Sequence, residues 1–122
     1  NKHCVIVDEC TKNEKNIIID YFDNCYKNLL NIEFLDKPND IFNLERDKFS
    51  VTVHEAGAGW TQSCGSGATA VASIFYEVHG KQVADKSISI KQGGGELIVK
   101  KKGRGLLLSG PSTIEYEATI NV

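Results

Sequence analysis

Gly57-Ala58-Gly59-Trp60-Thr61-Gln62-Ser63-Cys64-Gly65-Ser66-Gly67-Ala68 sets one cysteine between glycine pairs, directly before a run that reads as helix. A thiolate is both a nucleophile and a base, and a helix N-terminus stabilises it. Glycines on either side let backbone approach closely and let main-chain N–H groups point at an anion. A thiol and an anion site within so few residues point to chemistry beside a carboxylate.

Outward from Cys64, a helix is predicted over residues 64–79 with Gly80 as its stop. Ala68, Ala70, Val71, Ala72, Ile74, Phe75 and Val78 cover most of its circumference, the mark of a helix wrapped by other elements. Upstream, residues 49–54 alternate apolar and polar as a half-buried strand does, and residues 5–7 and 32–35 read as further strands. Between those two, Ile18, Phe22, Cys25 and Leu29 recur at helical spacing. They predict an amphipathic helix over 14–31 with Cys25 on its apolar face. Residues 37–46 are mixed and polar, a loop with a short strand.

Downstream, strands are predicted over 87–91, around Leu97 and Val99, over 106–109 and over 114–122. Gly93-Gly94-Gly95, Gly103-Arg104-Gly105 and Gly110-Pro111 separate them, the first read simply as a turn. Short glycine turns imply antiparallel pairing. The fold class expected is α+β, a mostly antiparallel sheet curled around a buried central helix, with the other helix outside.

Length and composition agree with one soluble domain. The chain has 122 residues, 41% of them apolar and 25% charged. A formal charge of −2 argues against nucleic-acid binding, and no apolar run or leader pattern signals a membrane. The chain opens at Asn1 without methionine and is read as a fragment of a longer protein. Its four cysteines, Cys4, Cys10, Cys25 and Cys64, show no zinc spacing and lack the density of a disulfide-stapled domain. Free thiols in a reducing, cytoplasmic compartment are expected. Cys4, Cys10 and Cys25 read as small buried hydrophobes, whereas Cys64 has polar and glycine neighbours and is expected to be partly exposed.

Gly65-Ser66-Gly67-Ala68-Thr69-Ala70 also fits the degenerate dinucleotide pattern GxGxxA. That pattern needs an apolar strand running into the first glycine and a parallel βαβ unit. Trp60-Thr61-Gln62-Ser63 intervenes here, so the nucleotide reading is the weaker one. A Walker A loop is excluded because no Gly-Lys-Ser/Thr follows the glycines.

The stretch from Glu55 to Ala68 resembles the second catalytic motif of diaminopimelate epimerases, E-R-G-A-G-E-T-x-A-C-G-[ST]-G-A. Other landmarks follow in the family's order. Asn1-Lys2-His3-Cys4-Val5-Ile6 is similar to N-P-H-A-V, and Leu30-Asn31-Ile32-Glu33-Phe34 to the N-V-x-F strand. Gly94-Gly95-Glu96-Leu97-Ile98-Val99 is similar to G-G-x-L-x-I, and Leu108-Ser109-Gly110-Pro111-Ser112 to the T-G-P-A turn. The cysteine motif is shared with other cofactor-independent amino-acid racemases; the remaining landmarks narrow the resemblance to the epimerase branch.

That resemblance implies a chemistry. Inverting an α-carbon without pyridoxal phosphate takes a base on one face and an acid on the other. In the family both are cysteines, one from each of two pseudo-symmetric domains. Cys64 matches the second; Cys4, Cys10 and Cys25 are followed by Val, Thr and Tyr and match no first motif. Residues 1–122 therefore resemble the C-terminal half of a two-domain epimerase, with 114–122 crossing to the N-terminal half. The implied reaction is epimerisation of LL-diaminopimelate to the meso form, in lysine and peptidoglycan-precursor biosynthesis, with no cofactor and no metal. The isolated half is expected to be inactive. Partners implied are the amino-acid substrate and the N-terminal half-domain, with a homodimer left open.

Residue roles also follow from the resemblance. Cys64 is an acid/base thiol, and the N–H groups of Gly65 and Ser66 hold the α-carboxylate. Glu55 binds the α-ammonium or assists proton movement, His3 matches an active-site histidine, and Asn1 and Asn31 match substrate-binding asparagines. On composition alone Glu55 reads equally as an exposed strand end, His3 as an ordinary surface or core histidine, and the asparagines as turn or strand-end residues. Thr61 reads as a hydrogen-bonding loop residue. The chain departs from the motif twice: Ala56 stands for the arginine that meets the distal carboxylate, and Trp60 for a second glutamate. Trp60 is expected to line the pocket wall. Ala56 keeps open a racemase of another amino acid on the same fold, and a non-catalytic anion-binding module is the third alternative.

Overall fold

The computed structural model describes residues 1–121. Seven strands and two α-helices follow in the order β1 (Lys2–Ile6), α1 (Lys12–Tyr26), β2 (Leu30–Leu35), β3 (Lys48–Glu55), β4 (Gly59–Thr61), α2 (Gly65–His79), β5 (Ser87–Gln92), β6 (Gly95–Lys102) and β7 (Gly105–Ser109). Short 3-10 turns occupy Pro38–Phe42 and Gly80–Val83. The strands form one mixed sheet in the order β1-β2-β3-β5-β6-β7, curled into a half-barrel. β4 pairs with β3 off that path.

Four pairings are antiparallel, and two, β1 with β2 and β3 with β5, are parallel. The sheet is thus mixed, where a mostly antiparallel one was expected. Each parallel pair is the one whose connection contains a helix, α1 in the first case and α2 in the second. A helical crossover is long enough to return the chain in the same direction, which a tight turn is not.

The two faces of the sheet carry separate cores. On one face Ile32, Phe34 and Leu30 meet Ile19 of α1. On the other, Phe49, Val51, Val53, Ile88, Ile90 and Val99 pack with Val71, Ala72 and Phe75 of α2. α2 contacts β1, β2, β5, β6 and β7. Phe75 is wholly buried, so truncating it to alanine costs about 3–5 kcal/mol. The Tyr76 hydroxyl, bonded to the Lys86 carbonyl at 2.6 Å, ties the far end of the helix to the chain entering β5.

α1 begins earlier and ends sooner than its apolar spacing predicts. Thr11 and Glu14 form a reciprocal capping box, which starts the helix at Lys12. Lys27 and Asn28 take left-handed backbone (φ 52° and 57°), which stops it at Tyr26. Cys25 is exposed, not on the buried face. Residues 37–46 hold a 3-10 turn where a strand was expected. Residues 110–121 form no strand, and Val122 lies outside the described residues. A strand needs a neighbour for its backbone groups, and this segment has none in the described chain. No helix among the described residues is long and apolar enough to cross a membrane.

Candidate active site

α2 starts at the motif cysteine. Cys64 is its N-cap, with extended backbone (φ −139°, ψ 107°), and its thiol accepts from the Gly67 N–H at 3.3 Å. The Ser66 hydroxyl lies 3.6 Å from the same sulfur. The first N–H groups of any helix lack intrahelical acceptors. Here the Cys64 N–H donates to Gln92 Oε1 at 2.6 Å and the Gly67 N–H is taken by the thiol. Those of Gly65 and Ser66 have no acceptor among the described residues. They are free at the positive end of the helix dipole, where an anion binds.

Gln92 also donates from Nε2 to the Cys64 carbonyl at 3.1 Å. One buried side-chain amide therefore grips both polar groups of the cysteine's main chain. The turn after Gln92 presses on the same loop. The Gly94 N–H donates to the Gln62 carbonyl at 2.6 Å, and a Cβ on Gly94 would sit 3.0 Å from that oxygen. The three glycines are a turn, and also the close seat of the cysteine loop.

Strand alternation brings the other candidates onto the α2 face. His3 pairs with Asn31 across β1 and β2, and Val5 pairs with Glu33. Side chains two apart share a face, so His3, Asn31 and Glu33 project together. Glu55 follows Val53 on the same face of β3. Asn31 is buried and accepts the Ala56 N–H on Oδ1 at 2.9 Å, which fixes the start of the Glu55–Ala58 turn. Gly57 takes φ 76° inside it, a left-handed backbone that suits glycine. Asn1, at the open end of β1, is exposed and is not drawn into this group.

Glu33 is a member the motif reading missed. Its side chain is fully buried, and Oε1 receives His3 Nδ1 at 2.6 Å. A Cβ built on Gly67 would lie 2.8 Å from Glu33 Oε1 and 3.2 Å from Cys64 Sγ. Carboxylate and thiol thus flank the same point. Burial pushes the Glu33 carboxyl above the usual range, the His3 hydrogen bond opposes that, and Glu55 adds to it. A lone acid within an otherwise apolar strand, two residues from Asn31, was the available signal. Gln92 carried no comparable signal, because its role depends on a contact 28 residues away.

Three buried polar atoms in this region have no partner among the described residues: His3 Nε2, Asn31 Nδ2 and Glu33 Oε2. Buried polar atoms are normally paired, so such a group marks a place prepared for something polar. Trp60, by contrast, stacks on Phe34 and His54, with ring centroids 5.7 Å and 5.4 Å apart. Phe34 belongs to the α1 face, so Trp60 lies across the sheet from Cys64 and does not line this site. Thr61 is a β4 residue whose buried hydroxyl has no partner. Cys64 is buried at 6% exposure, which corrects the expectation of partial exposure. Its thiol is wrapped by the first turn of its own helix, at Ser66 and Gly67. Among the described residues no three His, Cys, Asp or Glu side chains gather to hold a metal ion.

Comparison with known proteins agrees with this geometry. The family model described as Diaminopimelate epimerase matches residues 1–114. A curated relative, O-ureido-serine racemase of Streptomyces lavendulae, is 38% identical over 76 residues. That alignment covers 61% of this chain and 25% of the relative, so the chain spans about a quarter of that protein's length. The family match takes in β1 through β7 and every residue of the site just described, and the chain belongs to the diaminopimelate epimerase family.

Proposed function

We propose that this chain supplies one half of a cofactor-independent amino-acid epimerase site that converts LL-diaminopimelate to the meso form by two thiols. Cys64 at the head of α2, beside two unused helix N–H groups, carries the reading. The α-carboxylate sits on the Gly65 and Ser66 N–H groups, which brings the α-carbon over the Cys64 sulfur. Cys64 as thiolate removes the α-proton, and the thiol of the second half-domain delivers a proton to the opposite face. Reversal of the two protonation states runs the reaction backwards. The helix dipole and the N–H pair stabilise the charge that builds on the carboxylate as the carbanion forms. Glu55, His3 and Asn31 complete the seat for the α-ammonium and the rest of the substrate.

The second half-domain is expected against β7 and the segment after it. Ile114, Tyr116 and Ile120 alternate along residues 110–121 and are 83%, 82% and 82% exposed. Period-two apolar residues suit a strand that adds to another sheet. The pathway is lysine and peptidoglycan-precursor biosynthesis, and four free thiols suit a reducing cytoplasm.

A second substrate reading is favoured by Ala56. Alanine makes no bidentate contact to a distal carboxylate, and Trp60 is on the other face of the sheet. A racemase for an amino acid with an uncharged side-chain end fits that pocket, as the name of the ureido-serine relative illustrates.

Solvent deuterium exchange at Cα tests the proposal. The two-half enzyme exchanges and inverts its substrate, the 122-residue chain alone does not, and Cys64→Ser abolishes turnover. Near-normal turnover by Cys64→Ser removes the thiol from the mechanism. Amino-acid binding without exchange by the intact enzyme leaves only an anion-binding module. Comparison of diaminopimelate with amino acids lacking a distal charge decides the substrate.

A further inference from the structure

We propose that Glu33 is a positioning residue for this reaction, holding His3 in the tautomer that carries its proton on Nδ1 and offers bare Nε2 to the site. The inference rests on the racemase reading above.

The two nitrogens of a neutral imidazole are a donor and an acceptor, and the partner of one decides the role of the other. His3 Nδ1 lies 2.6 Å from Glu33 Oε1, the distance of a charge-assisted bond. The His3 hydrogen bond favours the ionised form of Glu33, and an ionised carboxylate accepts only, so in that form Nδ1 donates. Nε2 is then an acceptor, and it is buried with no protein partner. His79, elsewhere in the chain, has its Nε2 bonded to the Ile41 carbonyl at 2.9 Å.

The position of Glu33 is costly unless it serves something. The side chain is wholly buried, yet its second oxygen is also unpartnered. A fully apolar residue would suit β2 better, since Ile32, Phe34 and Leu35 around it are core. The titratable groups that act on it are His3 from β1 and Glu55 from β3, and the Cys64 thiol of α2 lies across Gly67 from it. His3 is thus held between a carboxylate behind it and a substrate or the opposite thiol in front.

Two measurements on the two-half enzyme test this. Imidazole nitrogen-15 shifts should place the proton of neutral His3 on Nδ1, and Glu33→Gln should release that preference, because an amide can donate or accept. Glu33→Gln should also lower kcat by about tenfold or more, as expected when a group that aligns the substrate beside the thiol loses its orientation. Glu33→Asp, which restores the acceptor, should recover part of kcat. A His3 proton on Nε2 in the unmodified enzyme overturns the proposal. So does a Glu33→Gln variant with unchanged kcat. Failure of the racemase reading shows separately, as normal turnover in Cys64→Ser, and leaves the nitrogen-15 result standing on its own.

Discussion

Gly67→Ala puts the geometry of the site to a quantitative test. Gly67 is the third residue of α2, where alanine is the better helix former by about 1 kcal/mol. On propensity alone the substitution stabilises the protein. The new methyl, however, would stand 2.8 Å from Glu33 Oε1, 3.3 Å from Glu33 Cγ and 3.2 Å from Cys64 Sγ. Neither neighbour yields easily. Glu33 is buried and bonded to His3, and the Cys64 main chain is gripped by Gln92. Overpacking of this kind costs about 1–3 kcal/mol. The net change is a loss of about 1 kcal/mol, or roughly 5 °C in Tm for a domain of this size. Gly65→Ala is the control, because its methyl meets only the flexible end of half-exposed Leu108, at 2.9 Å. It shares the first turn, so the difference between the two variants isolates the crowding. Thermal melts of both chains, with turnover of the two-half enzyme, form the assay. Gly67→Ala should melt lower than Gly65→Ala and lose about tenfold in kcat, since a displacement well under 1 Å at a reacting group is costly. A Gly67→Ala protein as stable as the control, with its activity intact, would refute the placement of thiol and carboxylate around this point.

Gln92→Ala leaves the buried N–H of Cys64 unpaired, while its carbonyl keeps the Ala68 N–H, and should destabilise the chain by about 2 kcal/mol, read as a lower urea midpoint; an unchanged midpoint would mean the clamp is not formed. Iodoacetamide should alkylate exposed Cys25 ahead of buried Cys64, with Cys4 slow because burial and then nearby Glu33 push its thiol up; peptide mapping that finds Cys64 first contradicts the burial described here. The Glu33 carboxyl is raised in the folded state, so its contribution to stability is present below about pH 4.3 and is lost as pH rises through the folded value. The stability of Glu33→Gln relative to the unmodified chain should accordingly improve as pH rises from 4 to 7, and a pH-independent difference in urea midpoints would contradict the burial of this acid. Ala56→Arg should lower KM for diaminopimelate by about tenfold to a hundredfold if the distal carboxylate lacks a cation, since one charge-assisted bond is worth about 1.5–3 kcal/mol; an unchanged or raised KM shows that other groups hold that end.

Much of this protein is local information. The two helices, the glycine breaks and the N-cap position of Cys64 follow from periodicity and from residues within a turn of one another. The family is legible for the same reason, because the motif from Glu55 to Ala68 is contiguous. What the sequence by itself left open is everything carried between segments. Parallel pairing of β1 with β2 depends on where α1 returns the chain, which no local pattern encodes. The end of α1 turns on left-handed Lys27 and Asn28, a backbone choice that apolar spacing does not register. Glu33 looks like one polar residue in a strand until β1 brings His3 to it and α2 brings Gly67 and Cys64 to its other side. Gln92 acquires its role only where β5 passes the head of α2. Trp60 sits four residues before Cys64 yet faces away, because the pleat of β4 turns its ring onto Phe34. Sequence determined which chemistry is present at Cys64; the packing of α2 into the curled sheet decided which acid, which histidine and which amide stand beside it.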